Sequence, residues 1–419
     1  MEQGKKLKLF TKNFFLLWQG QLVSSIGDVM YSLALGFWVL QKTGSTAIMG
    51  LLMAVSALPQ LILGPIAGVI VDRADRKWII VTMDIVRGVF VVAVAVLAIT
   101  GNLEVWMVFF TGVVKGICAS VFNPAVSASL PDIVQSANLQ RANAALMVST
   151  NGVNIFSNSI SGVLFSIVGA PVLFLINGIA YLFSSVTEMF LKIPRVRSEK
   201  MRESEGRGHF FDDFMDGLRF VFGIKPLMGL AGIVVLLNFF LNIAAVLVLP
   251  YFEWAPDMGA GNYGIFMGAM ALGGMLGYGL LSIWKVPRAI FAKYFGVIGV
   301  LSCLPFSLMV FLPFGAMLPV AVLGMFLNAA INTMANSTLQ AAVPSHMRGK
   351  FFALALAMTS GLTPIAMAVG GVLGDLFPIK WVICCCMGLA ALMFFVGGFM
   401  PGIKKLFLLD PKTQTVEDL

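Results

Sequence analysis

The sequence predicts an all-α membrane protein of twelve transmembrane helices, six on each side of a long polar stretch, with both termini cytoplasmic. Three observations carry this. The 419 residues are 59% hydrophobic and only 11% charged, where a soluble domain carries about 25% charge. The apolar residues fall in continuous runs of ~20 residues or more, enough to cross ~30 Å of hydrocarbon at ~1.5 Å per residue. The lysines and arginines then alternate between the loops as a polytopic protein requires. This composition excludes a soluble enzyme, a disordered chain and a collagen-like repeat. It also excludes a disulfide scaffold, because Cys118, Cys303, Cys384, Cys385 and Cys386 all lie in apolar runs, three of them adjacent.

Turn residues and charges mark the runs off at 13–40, 48–71, 78–100, 104–128, 144–168 and 171–191, then at 227–250, 263–284, 292–312, 315–338, 351–374 and 380–400. The first run is too long for a signal-peptide core and has no small-residue cleavage site after it, so it reads as an uncleaved span. Lipid offers the backbone no hydrogen-bond partners, so the runs must be helices. A porin-like barrel would instead show short segments of period two. Short outer loops such as Lys42-Thr-Gly-Ser, Gly101-Asn-Leu-Glu, Gly169-Ala-Pro and Leu312-Pro-Phe-Gly make successive spans antiparallel neighbours. The domains expected are 1–191, a cytoplasmic linker over 192–226, 227–403 and a cytoplasmic tail over 404–419. Within the linker, Phe211, Phe214, Met215, Leu218 and Phe222 share one helical face opposite Asp212, Asp213, Asp216 and Arg219. That pattern suits an interfacial helix on the inner leaflet or a cytoplasmic extension of the next span.

With the N-terminus inside, the cytoplasmic segments hold all 28 cations except Lys42 and Lys380, which lie outside, and Arg87 and Lys115, which fall within spans. Shifting the count by one helix destroys the alternation. The net charge of +8 is therefore a topological signal and no sign of nucleic acid binding.

One inner loop is distinctive. It reads Gly64-Pro-Ile-Ala-Gly68-Val-Ile-Val-Asp72-Arg73-Ala-Asp75-Arg76-Lys77. Gly68 would let two helices approach closely. Asp72 at the membrane edge needs a cation or a helix N-terminus to compensate it. Arg73, Arg76 and Lys77 can grip such partners and anionic head groups. The spacing resembles the signature Gly-x3-Asp-Arg-x-Gly-Arg-Lys of the major facilitator superfamily, with Asp75 where most members have Gly. Leu17-Trp-Gln-Gly-Gln, Ser25-Ile-Gly-Asp28, Thr43-Gly-Ser, Phe122-Asn-Pro-Ala, Leu130-Pro-Asp132 and Arg348-Gly-Lys-Phe351 are similar to the drug-efflux branch that contains macrolide exporters and enterobactin-type exporters. The resemblance implies two six-helix bundles with alternating access around a midplane cavity. It also implies that Gly68, Asp72, Arg73 and Arg76, with Asp75 and Lys77 beside them, form a gating loop that locks the inward-closed arrangement. The family's antiporter motif has a Gly-Pro step in the fifth span; here Asn151-Gly-Val-Asn-Ile-Phe-Ser-Asn has none.

Charges stranded in spans point to the mechanism. Asp28 lies ~22 Å along the first span, and Arg87 and Lys115 lie near the middle of theirs. Such charges are costly unless paired or hydrated and generally face a cavity. Burial favours the neutral form of a carboxylate, which suits proton uptake and release. Asp28 is thus a candidate proton-coupling or substrate-cation residue, or else the partner of Lys115 or Arg87 in a structural ion pair. Lys115 sits where many proton-coupled members carry an Arg. Asp84 and Arg87, spaced i, i+3, can pair on one face. Glu188, near the inner end of its span, reads as an interfacial, solvated carboxylate, with a coupling role as the alternative.

Amides form a second pattern. Asn151, Asn154, Asn158 and Ser161 share a face of the fifth span; Asn238 and Asn242 share one in the seventh, and Asn328, Asn332 and Asn336 in the tenth. They are candidates for a polar cavity wall, with helix–helix hydrogen bonding as the alternative. The 25 Met and 35 Phe suit an adaptable apolar lining. Catalytic patterns are absent: His209 and His346 have no ligand-spaced partners, and no phosphate-cradling Gly-x4-Gly-Lys-Ser/Thr run occurs. The expectation is a monomeric secondary exporter, without enzymatic activity, metal or cofactor, in a bacterial cytoplasmic membrane. It would extrude amphipathic drugs such as macrolides against protons, with lipids as its surroundings. The alternative is a lysophospholipid or siderophore transporter in which Lys115 and Arg87 read an anionic substrate.

Overall fold

The computed structural model describes residues 10–135, 138–193, 215–216, 218–284, 287–409 and 416. Among them the chain has no strand, and its principal helices are α1 (Lys12–Thr43), α2 (Thr46–Arg73), α3 (Arg76–Ile99), α4 (Val105–Ile133), α5 (Leu139–Glu188), α6 (Lys225–Trp254), α7 (Ala260–Ile283), α8 (Arg288–Met309), α9 (Phe314–Ala342), α10 (Ser345–Leu376), α11 (Ile379–Phe399) and α12 (Pro401–Leu408). Eleven of these are long and apolar enough to cross a membrane. Large apolar side chains such as Ile62, Ile66, Phe156, Ile167 and Leu356 are exposed on them, as a lipid-facing surface permits and a water-facing one does not.

Helix ends follow local chemistry. The Thr11 and Ser45 side chains accept hydrogen bonds from the N–H groups of Phe14 and Ile48 and so cap α1 and α2. Gly44, at φ 65°, closes α1. The expected fifth and sixth spans both fall in α5, whose 50 residues would reach ~75 Å if straight, more than twice the hydrocarbon thickness. The chain breaks at Gly169, with φ 74° and ψ 177°, just before Pro171. A first arm over 139–168 and a second over 170–188 result. Only glycine adopts this backbone without strain.

The chain forms two compact units. Unit 1 comprises Met1–Ser198 with Ala255–Ile265; unit 2 comprises Glu199–Trp254 and Phe266–Leu419. The stretch 255–265, expected to belong to the second bundle, thus groups with unit 1. In unit 1, α5 packs against α1 and α3, and α2 packs against α4. Phe14, Leu17, Ile80, Phe122, Leu130 and Leu191 lie in its core. In unit 2, α8 packs against α9 and α11, and α6 against α10 and α11.

Two expectations need correction. The first residues of the expected tail, 404–408, are helical and continue α12, which begins at Pro401. Its Ile403, Leu406 and Phe407 are buried in the unit 2 core. The Phe407 ring lies 5.0 Å from Phe291 and 4.9 Å from Phe295, centroid to centroid. Alternation of apolar residues with Lys404 and Lys405 is what lets one face dock while the cations stay out. In the linker, residues 210–214 lie outside the described residues. Residues 218–223 are helical, but it is Leu218, Phe220 and Val221 that pack on the unit 2 core. Met215 and Phe222 stay exposed, so the buried face is rotated from the one the apolar spacing suggested.

Replacing Phe407 by Ala is expected to destabilise the protein by about 3 kcal/mol, read as a lowered thermal midpoint in detergent. Gly169→Ala is expected to cost about 1 kcal/mol in the same assay, because the break imposes a positive φ.

Candidate functional site: a buried charge cluster in unit 1

Four helices bring their polar residues to one place inside unit 1. On the second arm of α5, Asn177, Tyr181, Ser184 and Glu188 follow at i, i+4, i+7 and i+11, so they form one stripe along the helix. All four are buried. The facing helix α1 presents glycines there because nothing larger fits. A Cβ at Gly20 would stand 2.7 Å from Ser184 Oγ and 2.8 Å from Glu188 Oε1, and one at Gly27 would stand 2.6 Å from Asn177 Nδ2. This close approach lets Asp28, one residue beyond Gly27, reach the middle of the stripe.

Asp28 Oδ1 accepts a hydrogen bond from Lys115 Nζ of α4 at 3.0 Å, across 87 residues of sequence. It accepts a second from the Tyr181 hydroxyl. Lys115 also reaches Asn177 Oδ1 at 3.4 Å and lies 3.8 Å from the Tyr31 ring centroid. Its ammonium is therefore held by a carboxylate, an amide and an aromatic face. The Asp28 side chain keeps 42% of its surface accessible, against 16% for Lys115, so the carboxylate can meet water or a solute while its partner stays sheltered.

Arg87 and Asp84 pair on one face of α3, as their i, i+3 spacing predicts. The guanidinium lies 4.0 Å from the Phe122 ring centroid and 4.7 Å from that of Tyr181. Tyr181 thus touches both cations' surroundings: its ring lies against Arg87 and its hydroxyl donates to Asp28. Glu188 departs from expectation. It is fully buried, because α1 at Gly20 covers it where loop and solvent were expected.

In the inner loop, Asp75 proves to be the N-cap of α3: its Oδ1 accepts from Lys77 N–H at 3.1 Å. Here the departure from the signature's Gly supplies a capping carboxylate. Arg76 donates to Asp132 Oδ2 at 2.6 Å and to the Ala128 carbonyl at 2.9 Å, tying the loop to the end of α4. Arg73 is exposed. The close helix approach expected at Gly68 is not there: a Cβ would meet nothing within 4 Å, because the neighbouring Ile66 and Ile70 point outward. The close contacts of α2 with α4 run instead through Gly112 and Gly116, against Ser56 and Pro59. The Asp72 side chain lies outside the described ones.

A family model described as Major Facilitator Superfamily matches residues 17–367. The protein belongs to the major facilitator superfamily. Similar proteins include macrolide efflux protein A of Streptococcus pyogenes, 28% identical over 197 residues, which is 47% of this chain and 48% of that protein. The chain is aligned with about half the length of these first relatives. The multidrug efflux pump Tap of Mycobacterium tuberculosis is 25% identical over 86% of this chain and 87% of its own. Among solved structures, a bacterial homologue of the iron transporter ferroportin superposes with a TM-score of 0.69 at 16% identity, over 92% of this chain and 98% of that one. A bacterial homologue of the human lysosomal transporter Spinster superposes with a TM-score of 0.70 at 14% identity, covering 97% and 98%. At such identity these structures establish the fold of the chain and no more.

The amides largely bond within their own helices. Asn238 and Asn242 donate to the carbonyls four residues before them, and Asn332 and Asn336 do the same in α9. Asn332 also donates to Asn328 Oδ1 at 2.9 Å. Asn158 is half-buried, and the side chains of Asn151 and Asn154 lie outside the described ones. Sequence reasoning passed over Asn177, Tyr181, Ser184 and the burial of Glu188, although their heptad-like spacing in an apolar run was there to find. The five cysteines are free, with Cys118, Cys303 and Cys386 buried and Cys385 exposed. Among the described residues no cluster of His, Cys, Asp or Glu could hold a metal.

In unit 2, Lys350 Nζ donates to Asp216 Oδ2 at 2.9 Å, which ties the linker to the Arg348–Phe351 segment. That bond holds the Asp216 carboxyl below its ordinary value. A carboxyl held low adds stability above the ordinary range near pH ~3.9 and loses it as pH falls through its lowered value. Lys350→Met is expected to return the Asp216 titration upward to that ordinary value, as read by NMR of a labelled carboxyl.

Proposed function

We propose that this transporter is a proton-coupled antiporter that exports amphipathic, cationic drugs such as macrolides by alternating access. Its twelve crossings, with α5 counted as two, leave both termini cytoplasmic in a bacterial cytoplasmic membrane, and the monomer is the working unit. The observation that carries the reading is Asp28, an accessible carboxylate deep in a span whose ion partner, Lys115, is sheltered. A proton arriving at Asp28 neutralises it and frees Lys115 from its bond. A cationic solute competes for the same carboxylate. One group thus answers both ligands, which is the minimum that exchange requires. The names of the macrolide and multidrug efflux relatives support the substrate class. The loop from Gly68 to Lys77 serves as the gate, with Arg76 held by Asp132 on α4 in one state and released in another. The amides of α5, α6 and α9 offer their remaining acceptors to the solute. Both buried cations already have carboxylate partners, which speaks against their reading an anionic lipid or siderophore.

In inside-out vesicles with an imposed proton gradient, the native protein is expected to accumulate a macrolide. Asp28→Asn is expected to abolish gradient-driven accumulation and to weaken exchange of the cationic solute at equal pH. Coupled uptake that survives in the variant would remove Asp28 from the mechanism. Movement of lysophospholipid or catecholate, with none of macrolide or cationic dye, would overturn the substrate class.

A further inference from the structure

The drug reading uses Asp28 and Lys115 and leaves Asp84 and Glu188 without a task. Both carboxylates are fully buried between α1, α3 and the second arm of α5. Arg87 satisfies Asp84 Oδ1. Asp84 Oδ2, both oxygens of Glu188 and the Ser184 hydroxyl make no hydrogen bond of normal geometry, although the two carboxylates and the hydroxyl lie close enough to interact. Ser184 Oγ and Glu188 Oε1 converge on the same point above Gly20.

The charges facing this place do not balance. From α1 comes Asp28, with Tyr31 beside it; from α3 come Asp84 and Arg87; from α4 come Lys115 and the thiol of Cys118; from α5 come Tyr181, Ser184 and Glu188. Three carboxylates thus stand against two cations. Lys115 is taken by Asp28, and Arg87 by Asp84 and its two aromatic neighbours. Among the described residues, Glu188 has no cation of its own. Two buried carboxyls facing each other cannot both ionise without a counter-charge.

We propose that Asp84 and Glu188 hold a single proton between them, forming a second proton-binding site in the interior of unit 1. The shared proton bonds Asp84 Oδ2 to a Glu188 oxygen, and the Ser184 hydroxyl donates to the oxygen left over. The cluster then becomes neutral as a whole. Arg87 links this site to the other one, since it pairs with Asp84 and stacks on the tyrosine that donates to Asp28. The inference does not depend on the transported solute, and its test reads the proton itself.

Infrared spectra of the full chain in lipid, recorded through a pH titration, should contain the carbonyl stretch of a protonated carboxyl at neutral pH. The band should persist in Asp28→Asn and vanish entirely in Glu188→Gln, which keeps the shape and hydrogen bonding of the protonated acid. Asp84→Asn should also remove it, because Arg87 is then left to Glu188. Absence of the band from the native protein would overturn the proposal, whether or not any variant folds. So would its persistence in Glu188→Gln.

Discussion

A charge inside hydrocarbon must find its counter-charge on a neighbouring helix, and that requirement organises unit 1. Asp28 of α1 is joined to Lys115 of α4, and Arg87 of α3 is held against Asp84, Phe122 of α4 and Tyr181 of α5. Helices that touch through apolar side chains alone gain little in lipid, because lipid tails are as apolar as leucine. Polar seams and close glycine contacts specify which helices meet. Gly20 and Gly27 admit the α5 stripe, and the stripe admits the charges.

The same arrangement makes the cluster responsive. Lys115 and Arg87 have aromatic faces as well as carboxylates for partners, so loss of one anion does not leave either cation bare. A change of protonation can therefore shift partners without expelling a charge into lipid. A polar seam with spare partners is an element with two tolerable arrangements. Unit 2 is built otherwise: its core is a stack of phenylalanines, Phe291, Phe295, Phe394 and Phe407, closed by the terminal helix α12. The ion pair seen there, Asp216 with Lys350, ties down the linker at the helix ends.

Local features were legible in advance. The Asp84–Arg87 pair followed from i, i+3 spacing, and the break at Gly169 from a Gly-Ala-Pro turn between two apolar runs. Asp28 and Lys115 stood out as charges in apolar surroundings, but their bond spans 87 residues and no periodicity in one helix announces it. Glu188 was misread for the same reason. Its distance from the end of an apolar run suggested solvent, yet what covers it is α1, more than a hundred residues earlier in the chain. Gly68 failed in the opposite sense: a small residue permits close packing, but the other helix has to come.

The sequence by itself determined the class of protein, the helices and the motif that marks the superfamily. These follow from the backbone's need for internal hydrogen bonds in lipid and from the short range of turn and cap chemistry. Only the tertiary structure decided which carboxylate meets which cation, which one has no cation among the described residues, and that the segment 401–408 docks. Those outcomes depend on helix neighbours brought together through space, and a linear pattern carries no register for them.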